Sequence, residues 1–300
     1  MSENSKFWQA SFFLPPQTSE TLAAEYLDCF EGFAHSSFLR MEDDGRFHLE
    51  LMFKGSEPPV AADILAHFRN FGTTDLKVRD IDIAEVPEKN WLVHVYEDLP
   101  PFHTGRFFIY GHHYTGEIPQ GVFPVQIHAA EAFGSGEHDT TQGCILSVEA
   151  LAEQGIAFRN ILDMGCGSGI LALGAACLWP QAIVTAVDIE EDAVRVTENH
   201  AHINGFQYRL HCAAGASYAT PLAQKNAPYD LVLANILSNV LIDLAGELAA
   251  VLAPGGYAVL AGLLTRQMQD VLAAHEKHGL ELVAEREQGG WSILTLKKPA

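Results

Sequence analysis

Cationic side chains are scarce. Lys and Arg together number 18 against 38 Asp and Glu, which leaves a net charge of −20. Phosphate backbones repel such a chain, so broad nucleic-acid binding is disfavoured, while a basic partner would be attracted. Cysteine is sparse too. Cys29, Cys144, Cys166, Cys177 and Cys212 are odd in number and include no C-x-x-C, so neither a disulfide framework nor a thiolate zinc site is indicated. A reducing compartment fits that usage. No apolar run reaches the ~18–20 residues of a membrane-spanning helix. The opening MSENSKFWQA lacks a basic region followed by an apolar one, so no signal peptide is expected. These absences lead us to expect a cytoplasmic protein without a membrane segment.

The remainder is ordinary globular material, 48% hydrophobic and 19% charged over 300 residues, which argues against disorder and for about two domains. Over 1–86 the hydrophobic period switches repeatedly. Phe7 to Leu14 reads as a strand, and Thr18 to Phe33 as a helix through Leu22, Tyr26, Phe30 and Phe33. Ser37 to Met41 and Phe47 to Phe53 read as strands around the Asp43-Asp44-Gly45 turn. Pro58-Pro59 opens a second helix, and Leu76 to Val86 reads as a last strand with a phase break near Asp80. The order β-α-β-β-α-β predicts a ferredoxin-like α+β domain. Phe7, Trp8, Phe12 and Phe13 are its expected core, with a partner surface as the alternative. Residues 87–127, rich in Pro and Gly, read as an interdomain connector with one strand at 106–110. From 128 to 300 helices and strands alternate, which predicts a parallel sheet covered on both faces, ending in a hairpin around Gly289-Gly290.

The strongest local signal is Asp163-Met164-Gly165-Cys166-Gly167-Ser168-Gly169, between a predicted strand and a predicted helix. Three alternate residues without side chains present bare backbone to a ligand at a helix N-terminus. The dinucleotide fingerprint G-x-G-x-x-G fails, because Ile170 stands where its third glycine belongs. No Gly-Lys-Ser/Thr follows, so a P-loop is excluded. Asp188 ends the next predicted strand, where an acid can accept hydrogen bonds from ribose hydroxyls; a helix N-cap is its alternative role. Asn235 ends a strand that is otherwise apolar, Val232-Leu233-Ala234. Asp163, Asp188 and Asn235 are expected to face one crevice beyond the carboxyl ends of the strands.

The D-x-G-x-G-x-G spacing resembles motif I of the S-adenosylmethionine-dependent methyltransferases. Adding Ala132-Phe133-Gly134-Ser135-Gly136-Glu137-His138-Asp139-Thr140-Thr141 and Ala234-Asn235-Ile236-Leu237 narrows the resemblance. The three blocks together are similar to the bacterial ribosomal protein L-eleven methyltransferases (PrmA). The chain departs from many relatives at Gly111-His112-His113 and Ala129-Ala130-Glu131. The resemblance implies a Rossmann-like class I methyltransferase sheet over 128–300 and substrate recognition by 1–86. It implies S-adenosylmethionine as cofactor, bound by Thr141 (or its neighbour Thr140), Gly165, Gly167 and Asp188, with Asn235 beside the methyl group. It implies a monomer that methylates lysine amines, and an N-terminal amine as a further acceptor, on a basic ribosomal protein. Helix capping by Thr140-Thr141 and a solvated strand end at Asn235 are the alternatives.

Methyl transfer from a sulfonium needs a neutral amine aligned with the departing sulfur. Asn235 cannot act as a base, but its carbonyl oxygen can orient the amine. Cys166 lies among loop glycines without an evident base, and His112, His113, His128 and His138 show no metal-binding spacing. Competing functions are a methyltransferase for another protein or a small molecule, a non-catalytic S-adenosylmethionine-binding module, and a nicotinamide oxidoreductase. The acidic surface either steers a basic substrate or serves solubility.

Overall fold

The computed structural model describes residues 6–300 except 17, 20–21, 24–25, 28, 31–32, 43–44, 70–75, 87–100, 113 and 128–138. The chain divides into two compact units, Met1–His94 and Val95–Ala300.

In the first unit, β1 (Lys6–Phe13), β2 (Ser36–Met41), β3 (Phe47–Gly55) and β4 (Asp82–Val86) form one sheet in the order β2-β3-β1-β4, with every pair antiparallel. Leu22, Ala23, Tyr26 and Leu27 are helical. Helix α1 (Ala61–Arg69) buries Ile64, Leu65 and Phe68, the spacing of one helical face. Ala10, Phe12, Leu49 and Leu51 meet these side chains in the core. Phe12 and Phe68 stack edge to face at 5.8 Å. The predicted strand over 76–86 is shorter than expected. Val78–Asp80 forms a 3-10 turn and pairing starts only at Asp82, because Asp80 Oδ2 accepts the Lys77 amide and closes the chain locally.

In the second unit, β5 (Phe102–Thr104), β6 (Phe107–Gly111) and β7 (Phe123–Ile127) form a three-stranded sheet. A seven-stranded sheet follows: β8 (Asn160–Met164), β9 (Ile183–Asp188), β10 (Leu210–Ala214), β11 (Tyr229–Asn235), β12 (Leu252–Leu264), β13 (Glu281–Gln288) and β14 (Trp291–Lys297). Their order is β10-β9-β8-β11-β12-β14-β13. The pairs from β10 to β12 are parallel, and the two pairs made by β14 are antiparallel. Helices α2 (Asp139–Glu153), α3 (Ile170–Leu178), α4 (Glu191–Ile203), α5 (Pro221–Asn226), α6 (Ser238–Asp243), α7 (Ala245–Val251) and α8 (Met268–Glu276) connect the strands.

Successive residues of the central strands enter opposite apolar layers. Ile161, Leu231 and Leu233 join one core with Leu173 and the β5–β7 residues Phe107, Ile109 and Val125. Leu162 and Val232 join the other with Leu248 and Val271. Burial on both faces is why these strands read as continuous apolar runs. The chain leaves β8 for β9 and β10 on one side, then returns to β11 on the other. Such a reversal opens a crevice at the strand ends, where ligands bind in open α/β sheets. Among the described residues, no helix is long and apolar enough to cross a membrane.

Candidate functional site

The loop from β8 to α3 is shaped by three glycines in the left-handed region, Gly165 (φ +74°), Gly167 (φ +53°) and Gly169 (φ +78°). A side chain is strained at each, which accounts for their alternate spacing. The amides of Gly165 and Cys166 both donate to the Val187 carbonyl, at 2.7 and 3.1 Å, and tie the loop to the end of β9. The Gly169 amide donates to the Cys166 carbonyl at 2.7 Å and closes the turn.

Two buried residues of α4 hold this loop from beneath. Thr197 Oγ1 donates to the Gly167 carbonyl at 2.9 Å and lies 3.4 Å from Cys166 Sγ. His200 Nδ1 lies 2.7 Å from the Ser168 carbonyl. A carbonyl only accepts, so the imidazole carries its proton on Nδ1. A Cβ at Gly169 would press on Thr197 at 2.7–3.1 Å. The sequence reading did not single out either residue. Their signal was a Thr and a His three positions apart on the buried face of an amphipathic helix.

Asp188 ends β9 with both carboxylate oxygens engaged. Oδ2 accepts the Gly167 amide at 2.8 Å, and Oδ1 accepts the Glu190 amide at 3.0 Å. The capping alternative is not realised: the N-cap of α4 is Glu190, and Asp188 closes only the turn that precedes it. Each oxygen keeps a further lone pair for a ligand hydroxyl.

Asp163 corrects an expectation, because it does not face the crevice. It is 1% exposed, and its Oδ2 accepts the Ala172 amide at 3.0 Å, one of the first-turn donors that a helix leaves unpaired. Its Oδ1 is buried with no partner among the described residues. Burial pushes its carboxyl up to about 7; the Ala172 hydrogen bond opposes that rise, and the Asp188 charge adds to it.

Asn235, at the end of β11, points its Nδ2 at the hydroxyls of Thr140 and Thr141, each 3.3 Å away. Both threonines are buried in the first turn of α2. Gln288, at the end of β13, donates to Asp139 Oδ1 and Gln142 Oε1 at 3.3 Å and clasps the same turn. Two sequence blocks far apart in the chain therefore meet here. Residues 132–138 of the Gly-rich block, with Ser135, Glu137 and His138, lie outside the described residues, as do His113, His128 and 129–131.

Cys166 is buried, and burial together with the nearby Asp163 charge pushes its thiol well above the ordinary range. A thiol held neutral in this way is no nucleophile. Among the described residues, no group of three or more His, Cys, Asp and Glu side chains is arranged to hold a metal ion.

Comparison with known proteins converges on one group. Residues 43–299 match the family described as ribosomal protein L11 methyltransferase (PrmA). A Caulobacter sp. (strain K31) protein named ribosomal protein L11 methyltransferase is 34% identical over 270 residues, covering 90% of this chain and 89% of that protein. A Brucella melitensis biotype 2 protein of the same name is 38% identical over 216 residues, covering 72% and 75% respectively. The crystal structure of a ribosomal protein L11 methylase from Lactobacillus delbrueckii subsp. bulgaricus superposes with a TM-score of 0.57 at 25% identity, covering 65% of this chain and 96% of that one.

Proposed function

The chain belongs to the ribosomal protein L11 methyltransferase (PrmA) family, and from that premise we propose that it methylates lysine amines, and an N-terminal amine, of ribosomal protein L11, with S-adenosylmethionine as donor. The observation that carries the reading is the meeting of Asn235 with Thr140 and Thr141 at the strand ends beside the glycine loop.

The residues present suit that donor. Of the positive-φ glycines, Gly165 and Gly169 make room for Ile236 and Thr197, and Gly167 is the one proposed to offer bare backbone to the ligand. Asp188 offers carboxylate lone pairs to ribose hydroxyls from the neighbouring strand end, and its negative charge favours a cationic ligand. When bound, S-adenosylmethionine supplies an electrophilic methyl group on a positively charged sulfur. Thr141 is proposed to hold its methionyl part together with Gly167.

The protein's own task is to present the acceptor amine. A free lysine amine has a pKa near ~10.4 and is mostly protonated at neutral pH. Removing it from water disfavours the charged form and favours loss of the proton to solvent. Asn235 then orients the neutral amine. With its Nδ2 turned to the two threonine hydroxyls, its Oδ1 is left to accept from the amine N–H and aim the lone pair. No protein base is needed at this position.

The net charge of −20 supports a basic substrate by speeding encounter. We propose that residues 1–86 recognise the substrate and 128–300 catalyse, in a cytoplasmic monomer; β5–β7, expected within a connector, pack into the core of the second unit. Incubation of the chain with isotopically labelled S-adenosylmethionine and ribosomal protein L11 tests the reading. Mass spectrometry should find added multiples of a methyl group on lysine and N-terminal amines. Transfer to another protein, or no transfer at all, would reject it.

A further inference from the structure

The residue after Asn235 sits between two glycines that belong to different elements. Ile236 leaves β11 and donates its backbone N–H to the Ala261 carbonyl of β12 at 3.2 Å. At this point β12 slips out of register with β14, between Leu260 and Leu263. Gly262 occupies the slip with φ +84°. A Cβ there would lie 2.8 Å from the Ile236 carbonyl carbon, 3.0 Å from its nitrogen, and closer still to its carbonyl oxygen. All three are backbone atoms, so no rotamer change could relieve the contact. On the other side, Ile236 Cγ2 fills the space that a Cβ of Gly165 would need. One residue thus touches the first glycine of the loop through its β-branch and the bulge of β12 through its backbone.

We infer that Ile236 is a positioning residue, which sets Asn235 relative to the glycine loop, with Gly262 as the gap that admits its backbone. This rests on the proposed role of Asn235 in presenting the amine. The physical basis is stiffness. A β-branched side chain has few χ1 choices, so a contact at Cγ2 passes directly to the backbone at 236 and on to Asn235. Displacement of about 1 Å at a reacting group can cost about 100-fold in rate. The competing reading is that Ile236 only covers apolar surface at the edge of the core it borders. The two readings rank substitutions in opposite order. Ile236→Leu keeps the volume and loses Cγ2, whereas Ile236→Val keeps Cγ2 and loses a carbon. A covering role tolerates Leu best, because its volume is conserved.

The test uses the full chain and the variants Ile236→Val, Ile236→Leu and Gly262→Ala. Calorimetry reads S-adenosylmethionine affinity, turnover on ribosomal protein L11 reads kcat, and hydrogen exchange reads the Gly165 and Cys166 amides that donate to Val187. Ile236→Val should stay within about threefold of the parent in affinity and kcat. Ile236→Leu should lose about tenfold or more in kcat and exchange those amides faster, in line with misplacement of reacting groups. Gly262→Ala should lower kcat about 100-fold and affinity much less. Leu outperforming Val, or Gly262→Ala with parental kcat, would overturn the inference. Should Gly262→Ala fail to fold, the Val–Leu ranking decides alone. Should the parent not methylate the protein substrate, the functional reading fails, and exchange at Gly165 and Cys166 still separates Val from Leu.

Discussion

Asp188 Oδ2 accepts the backbone amide of Gly167 at 2.8 Å, so the acid at the end of β9 grips the middle of the glycine loop. Its other oxygen holds the Glu190 amide at 3.0 Å, at the entrance to α4. The same carboxylate therefore shapes the loop and is the group proposed to take the ribose. Asp188→Ala should weaken S-adenosylmethionine binding by more than tenfold in calorimetry. It should also lower stability by about 1.5–3 kcal/mol in a urea melt, the range for a hydrogen bond to a charged group. Asp188→Asn keeps an acceptor for one amide but loses the charge. It should recover part of the stability and little of the binding. Unchanged affinity in Asp188→Ala would remove Asp188 from the cofactor site.

The loop itself was legible in the sequence because its cause is local. Alternate glycines between an apolar strand and a helix announce a turn that needs positive φ, and Ile170 was enough to set aside the dinucleotide fingerprint. Asn235 was legible for a similar reason, as a polar tip on a buried strand. What holds these residues in place was not legible, because it is non-local. Thr197 and His200 meet the loop from a helix about thirty positions later, and Gly262 meets Ile236 only after β12 has paired. The short strands Phe102–Thr104 and Phe123–Ile127 carry too few residues to show a period, and they gain order from the sheet they share with Phe107–Gly111. At Val78–Asp80 a local side-chain bond from Asp80 overrode a strand-like pattern.

Asn235 should affect rate far more than binding. Asn235→Ala removes the acceptor proposed for the substrate amine and leaves the glycine loop and Asp188 untouched. The expected outcome is a fall in kcat of about 100-fold, the scale of a misplaced reactant, with S-adenosylmethionine affinity within about threefold. Thr141→Val removes one of the two hydroxyls that orient the amide and keeps the shape of the side chain. At saturating S-adenosylmethionine it should lower kcat less than Asn235→Ala does, and the double variant should have a kcat no lower than that of Asn235→Ala, because both act on the amine through one group; the proposed hold of Thr141 on the methionyl part reads out separately, as weaker S-adenosylmethionine affinity. Additive losses in kcat would show that Thr141 works independently of Asn235.

Asp163 gives the protein a pH dependence whose sign is set by burial. Its carboxyl is pushed from 3.8 up to about 7, chiefly by desolvation, with the Ala172 amide pulling it down and the Asp188 charge raising it. In the unfolded chain it ionises near 3.8, while in the folded protein it keeps its proton to about 7. Between those values the folded state binds more protons than the unfolded one, so this group's contribution to stability falls as pH rises, and it levels off above about 7. The full effect is on the order of a few kcal/mol, since one pKa unit corresponds to about 1.4 kcal/mol. Asp163→Asn retains an acceptor for the Ala172 amide and cannot ionise. Urea melts from pH 4 to pH 8 on the parent and on Asp163→Asn should diverge steadily, with the variant gaining relative stability up to neutrality and no further above it. Parallel curves across that range would mean that Asp163 is ionised in the folded protein throughout. Its unpartnered Oδ1 would then need a donor close by to compensate the buried charge.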